Sequence, residues 1–321
     1  MDIELIIQSV ENNKAYEISQ LTTEISWTTD IGDQPGKLEV EFLPDANIFM
    51  SEGDLVRMKF EGRNVFYGKL FKKGKNESTW SFMAYDNKRY LQNEDTLVFG
   101  ASRSDERFLN ICKVSGIPGR VRDRSNYRLP NVIHDAKSYY AMLDEALEHT
   151  LINGGMWYII RDNFGTLEHI ALNSLITDYV IGDQSLATSF EFESSIEESY
   201  NLIKLTRDNE ETNKRDVYIV KNSNLEKKWG TLQYYESVSE DMNPAQIKAM
   251  ANNIMKSLGK PERTLKVESI GVKEISAGNS VVIQLQDLAD DGYDKPKLAV
   301  VENCVHTWSK THEMSLRLRV V

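Results

Sequence analysis

Apolar and polar positions alternate with a period of two at both ends of the chain, and one arrangement occurs twice. Near the start, Met50-Ser51-Glu52-Gly53-Asp54-Leu55-Val56-Arg57-Met58-Lys59-Phe60 reads as a turn feeding a strand. Near the end, Ile275-Ser276-Ala277-Gly278-Asn279-Ser280-Val281-Val282-Ile283-Gln284-Leu285 reads the same way. Gly followed by Asp or Asn suits a turn, because both tolerate positive φ and the short polar side chain bonds the local backbone. Val56, Met58 and Phe60, like Val281, Ile283 and Leu285, then fall on one sheet face. Each copy continues with two more strand patterns: Val65–Phe71 and Thr79–Tyr85 in the first, Leu298–His306 and Glu313–Val320 in the second. Two copies of one β module joined by other material are expected, and this suggests scaffolding before catalysis.

The rest of the pattern divides the chain into residues 1–90, 91–187 and 188–321. The first part carries about six short strands, which suggests a small barrel or sandwich. In the second, Ser104 is placed to cap a helix whose first turn holds Asp105 and Glu106; Phe108, Ile111 and Cys112 form its apolar stripe and Gly116 and Pro118 stop it. A second helix is expected from near Asp135, with Tyr140, Leu143, Leu147 and Leu151 on one face. A hairpin about Asn163-Phe164-Gly165 completes a small α+β domain. The third part returns to strands, interrupted by a helix over 243–258 with Asn243 as cap, Pro244 first, and Ile247, Met250, Ile254 and Leu258 buried. The fold class expected is mainly β with α+β parts.

The 321 residues permit two or three domains with real cores. Charged residues at 27% and hydrophobic ones at 40% are an ordinary globular balance. A formal net charge of −11 argues against broad nucleic-acid or anionic-membrane binding. It is compatible with a wall along which another polyanion slides without sticking. Cys112 and Cys304 read as two buried free thiols, with folding in a reducing cytoplasm. The acidic start, Met1 to Leu5, does not read as a signal peptide, and no segment has the length of a membrane span.

Candidate chemistry is sparse. His306 and His312 flank a turn and can face each other across a hairpin, with Glu302 nearby, but a metal site needs three or four converging ligands. Glu145 and His149 stand at i, i+4 beside Asp144 and Glu148, a pattern that reads as a solvated helix face. Asp287, Asp290, Asp291 and Gly292 have the composition of a calcium loop without its ligand spacing. Arg120, Arg122, Arg124 and Arg128, with Tyr127, form the one local basic patch, either a docking loop or a solvated one. Trp27, Trp80, Trp157, Trp229 and Trp308 lie in or beside strand patterns, as core or interface residues do. No catalytic, cofactor-binding or metal-binding residue is assigned.

Several motifs in order carry a family resemblance. They are Tyr85-Asp86-Asn87-Lys88-Arg89-Tyr90-Leu91, Phe108-Leu109-Asn110-Ile111-Cys112 with Gly116-Ile117-Pro118, Ser199-Tyr200-Asn201-Leu202-Ile203, Gly230-Thr231-Leu232-Gln233-Tyr234-Tyr235-Glu236, Ile275-Ser276-Ala277-Gly278-Asn279 and Val305-His306-Thr307-Trp308. Together they resemble the baseplate hub proteins of contractile phage tails and phage-tail-like bacteriocins, of the kind found in PBSX-type prophages. The resemblance implies two tail-tube-like β barrels per chain, a homotrimer, and a non-enzymatic role joining a hexameric tail tube to a trimeric central spike, among other baseplate components. It implies assembly in the bacterial cytoplasm, no cofactor, no sequence-specific nucleic-acid binding and no membrane insertion. Two other readings compete: a tail-carried cell-wall hydrolase using the Asp144–His149 helix or the His306/His312 hairpin, and a glycan or receptor binder using the tryptophans and the Arg120–Arg128 loop.

Overall fold

The computed structural model describes residues 2–182, 185–209, 214–238, 240, 242–293 and 295–320. The first module contains β1 (Ile3–Gln8), β2 (Ala15–Glu17), β3 (Thr22–Asp30), β4 (Lys37–Phe42), β5 (Leu55–Phe60), β6 (Arg63–Lys75) and β7 (Trp80–Tyr85). They pair in the order β3-β4-β7-β6-β5-β1-β2. Strict alternation in β4 and β5 turns Leu38, Val40, Phe42, Val56, Met58 and Phe60 into one core and leaves Glu39, Glu41, Arg57 and Lys59 outside.

The middle segment follows as β8 (Glu94–Phe99), β9 (Ser102–Arg103), α1 (Ser104–Ser115), β10 (Gly119–Val121), β11 (Arg128–Leu129), β12 (Val132–Ser138), α2 (Tyr139–Gly154), β13 (Tyr158–Asp162) and β14 (Leu167–Ala171). Phe108, Ile111, Leu143, Leu147, Tyr158 and Ile160 make a separate core. Two expected helix starts shift. Arg103, not Ser104, is the N-cap of α1, and its backbone N–H donates to the Glu106 carboxylate. Ser104 is instead buried against His169, 3.0 Å away. Asp135 lies inside β12, which pairs with β8 and carries Ala136 at φ +46; α2 begins only at Tyr139, capped by Ser138. Strand pairing holds the polar run before the cap extended and delays the helix.

The last part holds β15 (Ile176–Gly182), β16 (Ala187–Ser195), β17 (Leu202–Asn209), β18 (Lys214–Lys221), α3 (Ser223–Trp229), β19 (Gln233–Ser237), α4 (Pro244–Leu258), β20 (Glu262–Ile270), β21 (Ser280–Gln284), β22 (Lys297–Trp308) and β23 (His312–Val320). The material inserted between β16 and β20 is larger than the single helix read from the sequence. It has its own sheet, β18-β17-β19, with α4 packed on it through Ile247, Met250 and Ile254. Two motifs singled out above clamp its base: the Asn201 side chain donates to Gly230 O and accepts from Leu232 N, and Ser199 Oγ donates to Lys260 O.

The two β modules share one plan. The second pairs in the order β16-β20-β23-β22-β21-β15, matching β3-β4-β7-β6-β5-β1 strand for strand. The turns match at atomic level. Gly53, at φ +94, donates to Leu70 O at 2.7 Å, and Leu70 donates back to Asp54 O at 2.8 Å. Gly278, at φ +93, donates to Val301 O at 2.8 Å, and Val301 donates back to Asn279 O at 2.8 Å. Each pairing of the long strand with its hairpin partner is then interrupted by a bulge at the same place, between Leu70 and Lys72 and between Val301 and Asn303. One strand departs from the plan: β1 runs antiparallel to β5, whereas β15 runs parallel to β21. The mainly β architecture with its duplicated module is the one expected; among the described residues no ladder joins the first strand of either module to its last.

The repeated turn depends on its second polar residue. Asp54 accepts from Ser51 N at 2.7 Å and Val10 N at 2.9 Å; Asn279 accepts from Ser276 N at 2.9 Å. Both side chains are buried, and removing either acceptor leaves buried donors unpaired. Asp54→Ala and Asn279→Ala are each expected to lower stability by about 1–3 kcal/mol, with Asp54→Asn milder. Urea midpoints within noise of wild type for both alanine variants would refute this.

Candidate assembly surface

The modules meet by strand pairing. β3 of the first runs antiparallel to the second half of β22, with Trp27 opposite His306 and Asp30 opposite Asn303. This ladder merges the modules into one 13-stranded sheet. Its core side is an aromatic stack: Trp27 lies 5.4 Å from His306, His306 5.4 Å from Trp308, and Trp308 4.8 Å from His312, with Phe60 against Trp308 and His312. On the side away from the cores, β16-β20-β23-β22-β3-β4-β7 present a continuous polar surface. It carries Glu24, Glu39, Glu41, Glu191, Glu193 and Glu268, interspersed with Lys37, Lys266 and Arg317.

The two histidines do face each other: His306 Nδ1 lies 2.9 Å from His312 Nε2, and His306 Nε2 lies 2.8 Å from Ile275 O. Glu302 does not join them. It is the bulge residue of β22, turned the other way against Arg317 and Arg319. Burial lowers the His306 pKa to about 4, and burial also lowers that of His312, opposed by the Glu61 charge.

The remaining candidates are dispersed. Asp144 and Glu148 line a cavity of about 670 Å³ between α2, α4 and the second module, and burial raises both carboxyl pKa values. Glu145 and His149 line a different cavity, with Glu145 Oε2 2.7 Å from Lys137 Nζ. The Arg120–Arg128 loop is tied down. Arg120, Arg122 and Arg161 converge on Glu168, which is fully buried in β14. Burial alone would raise the Glu168 pKa, but hydrogen bonds from Asn163 and Arg120 and the Arg161 charge bring it down to about 2. Arg128 donates to Ala101 O, and Arg124 O accepts from Tyr158. The Asp287–Asp291 run is a 3-10 turn ending at Gly292, φ +80. Trp80 lies under Lys75, Trp157 beside Arg319, and Trp229 is half-buried at the end of α3. Cys112 and Cys304 are free and buried. Among the described residues no three His, Cys, Asp or Glu side chains are grouped to hold a metal ion, and no helix is long and apolar enough to cross a membrane.

Sequence reasoning missed a second clamp. Lys88, buried in the Tyr85–Leu91 motif, donates from Nζ to Asp30 O at 2.8 Å and Gly32 O at 2.7 Å. Its neighbour Asn87 donates to Gly165 O in the middle segment. The motif therefore fixes the end of β3 and the middle segment together. A lysine bracketed by aromatic and acidic residues immediately after a strand was the available signal.

The fold is similar to that of solved prophage tail proteins. The chain superposes over 99% of its length on 98% of the prophage MuSo2 43 kDa tail protein from Shewanella oneidensis, with TM-score 0.72 and 12% identity. It also superposes over 94% of its length on 73% of the Escherichia coli c3393 protein, with TM-score 0.56 and 8% identity. That protein is described as a type VI secretion component structurally similar to bacteriophage T4 tail proteins gp27 and gp5. In sequence this chain is 28% identical over 242 residues to the uncharacterized protein YqbQ and 27% over 241 to the phage-like element PBSX protein XkdQ, both of Bacillus subtilis strain 168. Each alignment spans 74% of both chains. The YqbQ-like family model matches residues 25–319, and the chain belongs to that family.

The His306/His312 pair has a pH signature. Both pKa values are lowered in the folded state, so folding favours the neutral rings. Their contribution is fully present above the unfolded value of about 6.5 and is lost as pH falls toward about 4. The double variant His306→Gln/His312→Gln is expected to lose stability less steeply than wild type between those limits. Parallel urea-midpoint profiles would refute the coupling.

Proposed function

We propose that this protein is the structural baseplate hub of a contractile tail or tail-like bacteriocin, a homotrimeric adaptor between the hexameric tail tube and the trimeric central spike. The observation that carries the reading is the duplicated module. Two copies with one strand order lie side by side in a single sheet, so three chains supply six similar modules to a sixfold tube and keep true threefold symmetry for a spike. The YqbQ-like family membership, the relationship to a PBSX protein and the tail-protein fold support it. The middle segment, residues 91–187, then supplies contacts to further baseplate components, and assembly takes place in the bacterial cytoplasm.

The carboxylate-bearing face of the shared sheet suits the inner wall of such a ring. Fixed negative charge repels a passing polyanion and keeps it from adhering. A non-catalytic role is supported by the dispersal of the acidic candidates into separate cavities and by the structural pairing of Glu145 and Glu168.

In solution the protein is expected to reach three times the 36.8 kDa of one chain, measured by sedimentation or light scattering, and to form a threefold annulus in electron micrographs. Gold labelling of intact particles is expected at the junction of tube and spike. A stable monomer located elsewhere in the particle would overturn the reading.

A further inference from the structure

The seam between the modules serves as a template for a second seam. Within one chain, β3 occupies the free flank of β22 beyond the bulge. The equivalent strands of the opposite modules, β16 and β6, each have that same flank open. Among the described residues, β16 pairs only with β20, and beyond Lys69 β6 pairs only with β7. We propose that β16 of one copy pairs antiparallel with the Lys72–Lys75 stretch of β6 in the next copy, repeating the internal seam between chains. This rests on the hub reading for the number of copies, but not for the edge chemistry.

The duplication fixes the register. Leu70 corresponds to Val301 through the matched turn hydrogen bonds, and Lys72 to Asn303 through the matched bulge, so Lys75 corresponds to His306. Leu38 and Leu265 occupy equivalent positions opposite Ala84 and Leu318. Trp27 and Phe192 are their partners, so Asp30 corresponds to Ser195. Transferring the internal pairs places Lys75 opposite Phe192, Gly74 opposite Glu193 and Lys72 opposite Ser195.

Charge favours this pairing and opposes the alternatives. β6 carries Arg63, Lys69, Lys72, Lys73 and Lys75 and no acidic residue; β16 carries Glu191 and Glu193 and no basic one. Lys72 then lies diagonal to Glu193 on the polar face, and Lys75, which already sits 3.6 Å over the Trp80 ring, meets the Phe192 ring on the core face. Pairing β6 with a second β6, or β16 with a second β16, opposes like charges along the whole edge. The contact is therefore head-to-tail, the kind that closes into a ring.

The test is a cysteine pair, Lys72→Cys with Ser195→Cys. In the internal template these positions hold Asn303 and Asp30, whose side chains meet at 3.0 Å. In one chain they stand at opposite ends of eight consecutive strands, roughly 30 Å apart at ordinary strand spacing, so any bond is intermolecular. Mild oxidation is expected to give dimers and trimers on non-reducing gels from the double variant only. Lys72→Glu and Glu193→Lys are each expected to weaken assembly roughly 3- to 5-fold, with the reciprocal double variant restoring it. An oligomer that neither cross-links at 72–195 nor responds to charge reversal overturns the edge pairing and leaves the hub reading standing. Cross-linked ladders running past three uphold the edge pairing and overturn trimeric closure. A wild-type chain monomeric at every concentration overturns both.

Discussion

The β3·β22 ladder is the contact on which the remaining architecture depends. Among the described residues it is the one ladder that joins the first module to the second, over six consecutive residue pairs. Strand pairing is directional and periodic, so it sets both the angle and the offset of the modules in a way that side-chain packing alone does not. The aromatic stack of Trp27, His306, Trp308 and His312 then seals its core side, and Thr29 Oγ1 accepts from Ala277 N to tie the second copy of the turn to β3. A one-residue slip would turn Trp27 out of the core and Thr28 into it, which is why the register is well determined.

One polar clamp holds the middle segment to this frame, and a second braces it from within. Lys88 and Asn87 work at the end of β3, where the carbonyls of Asp30 and Gly32 satisfy the buried Lys88 amine and Asn87 reaches Gly165 O. Burial and the nearby Asp162 charge raise the Asp86 pKa, and burial lowers that of Lys88. Glu168 with Arg120, Arg122 and Arg161 works inside the segment, fixing the loop between β10 and β11 to β14. Breaking one partner of such a cluster leaves a buried charge uncompensated, so these sites cost more to disturb than exposed ion pairs.

What was legible in the chain was local. The Ser-x-Gly-Asp/Asn turns, the hairpin that brings His306 to His312, the caps at Asn243 and Gly116, and the duplication all follow from residues close in sequence. Features set by distant partners were not. The strands Leu202–Asn209, Lys214–Lys221 and Gln233–Ser237 have ordinary alternation, and nothing in it tells which sheet they join. The arginine loop looked solvated because its counter-charge lies 46 to 48 residues away. A clue was present: Glu168 stands in the run Leu167-Glu168-His169-Ile170-Ala171, where three of five residues are apolar, and a charge in a buried strand requires a partner.

Under the proposed edge pairing, the contrast between the two seams follows from when each forms. The internal one closes as the chain folds and never faces water again, so its edge can be built from Trp27, His306 and Trp308. An edge that waits for another copy must stay soluble until that copy arrives. A long apolar edge in that state would pair with any exposed strand, whereas lysine along it deters both aggregation and pairing with itself. Lys72, Lys73 and Lys75 therefore occupy the positions of Asn303, Cys304 and His306. Duplication preserved the geometry of the joint, and divergence changed its chemistry from apolar to ionic at the edge left open. Two identical copies would have made the inner and outer joints interchangeable and allowed rings and filaments of mixed register. Distinct chemistry at the two joints removes that degeneracy and makes the chain the repeating unit of the proposed ring, with the module as its half.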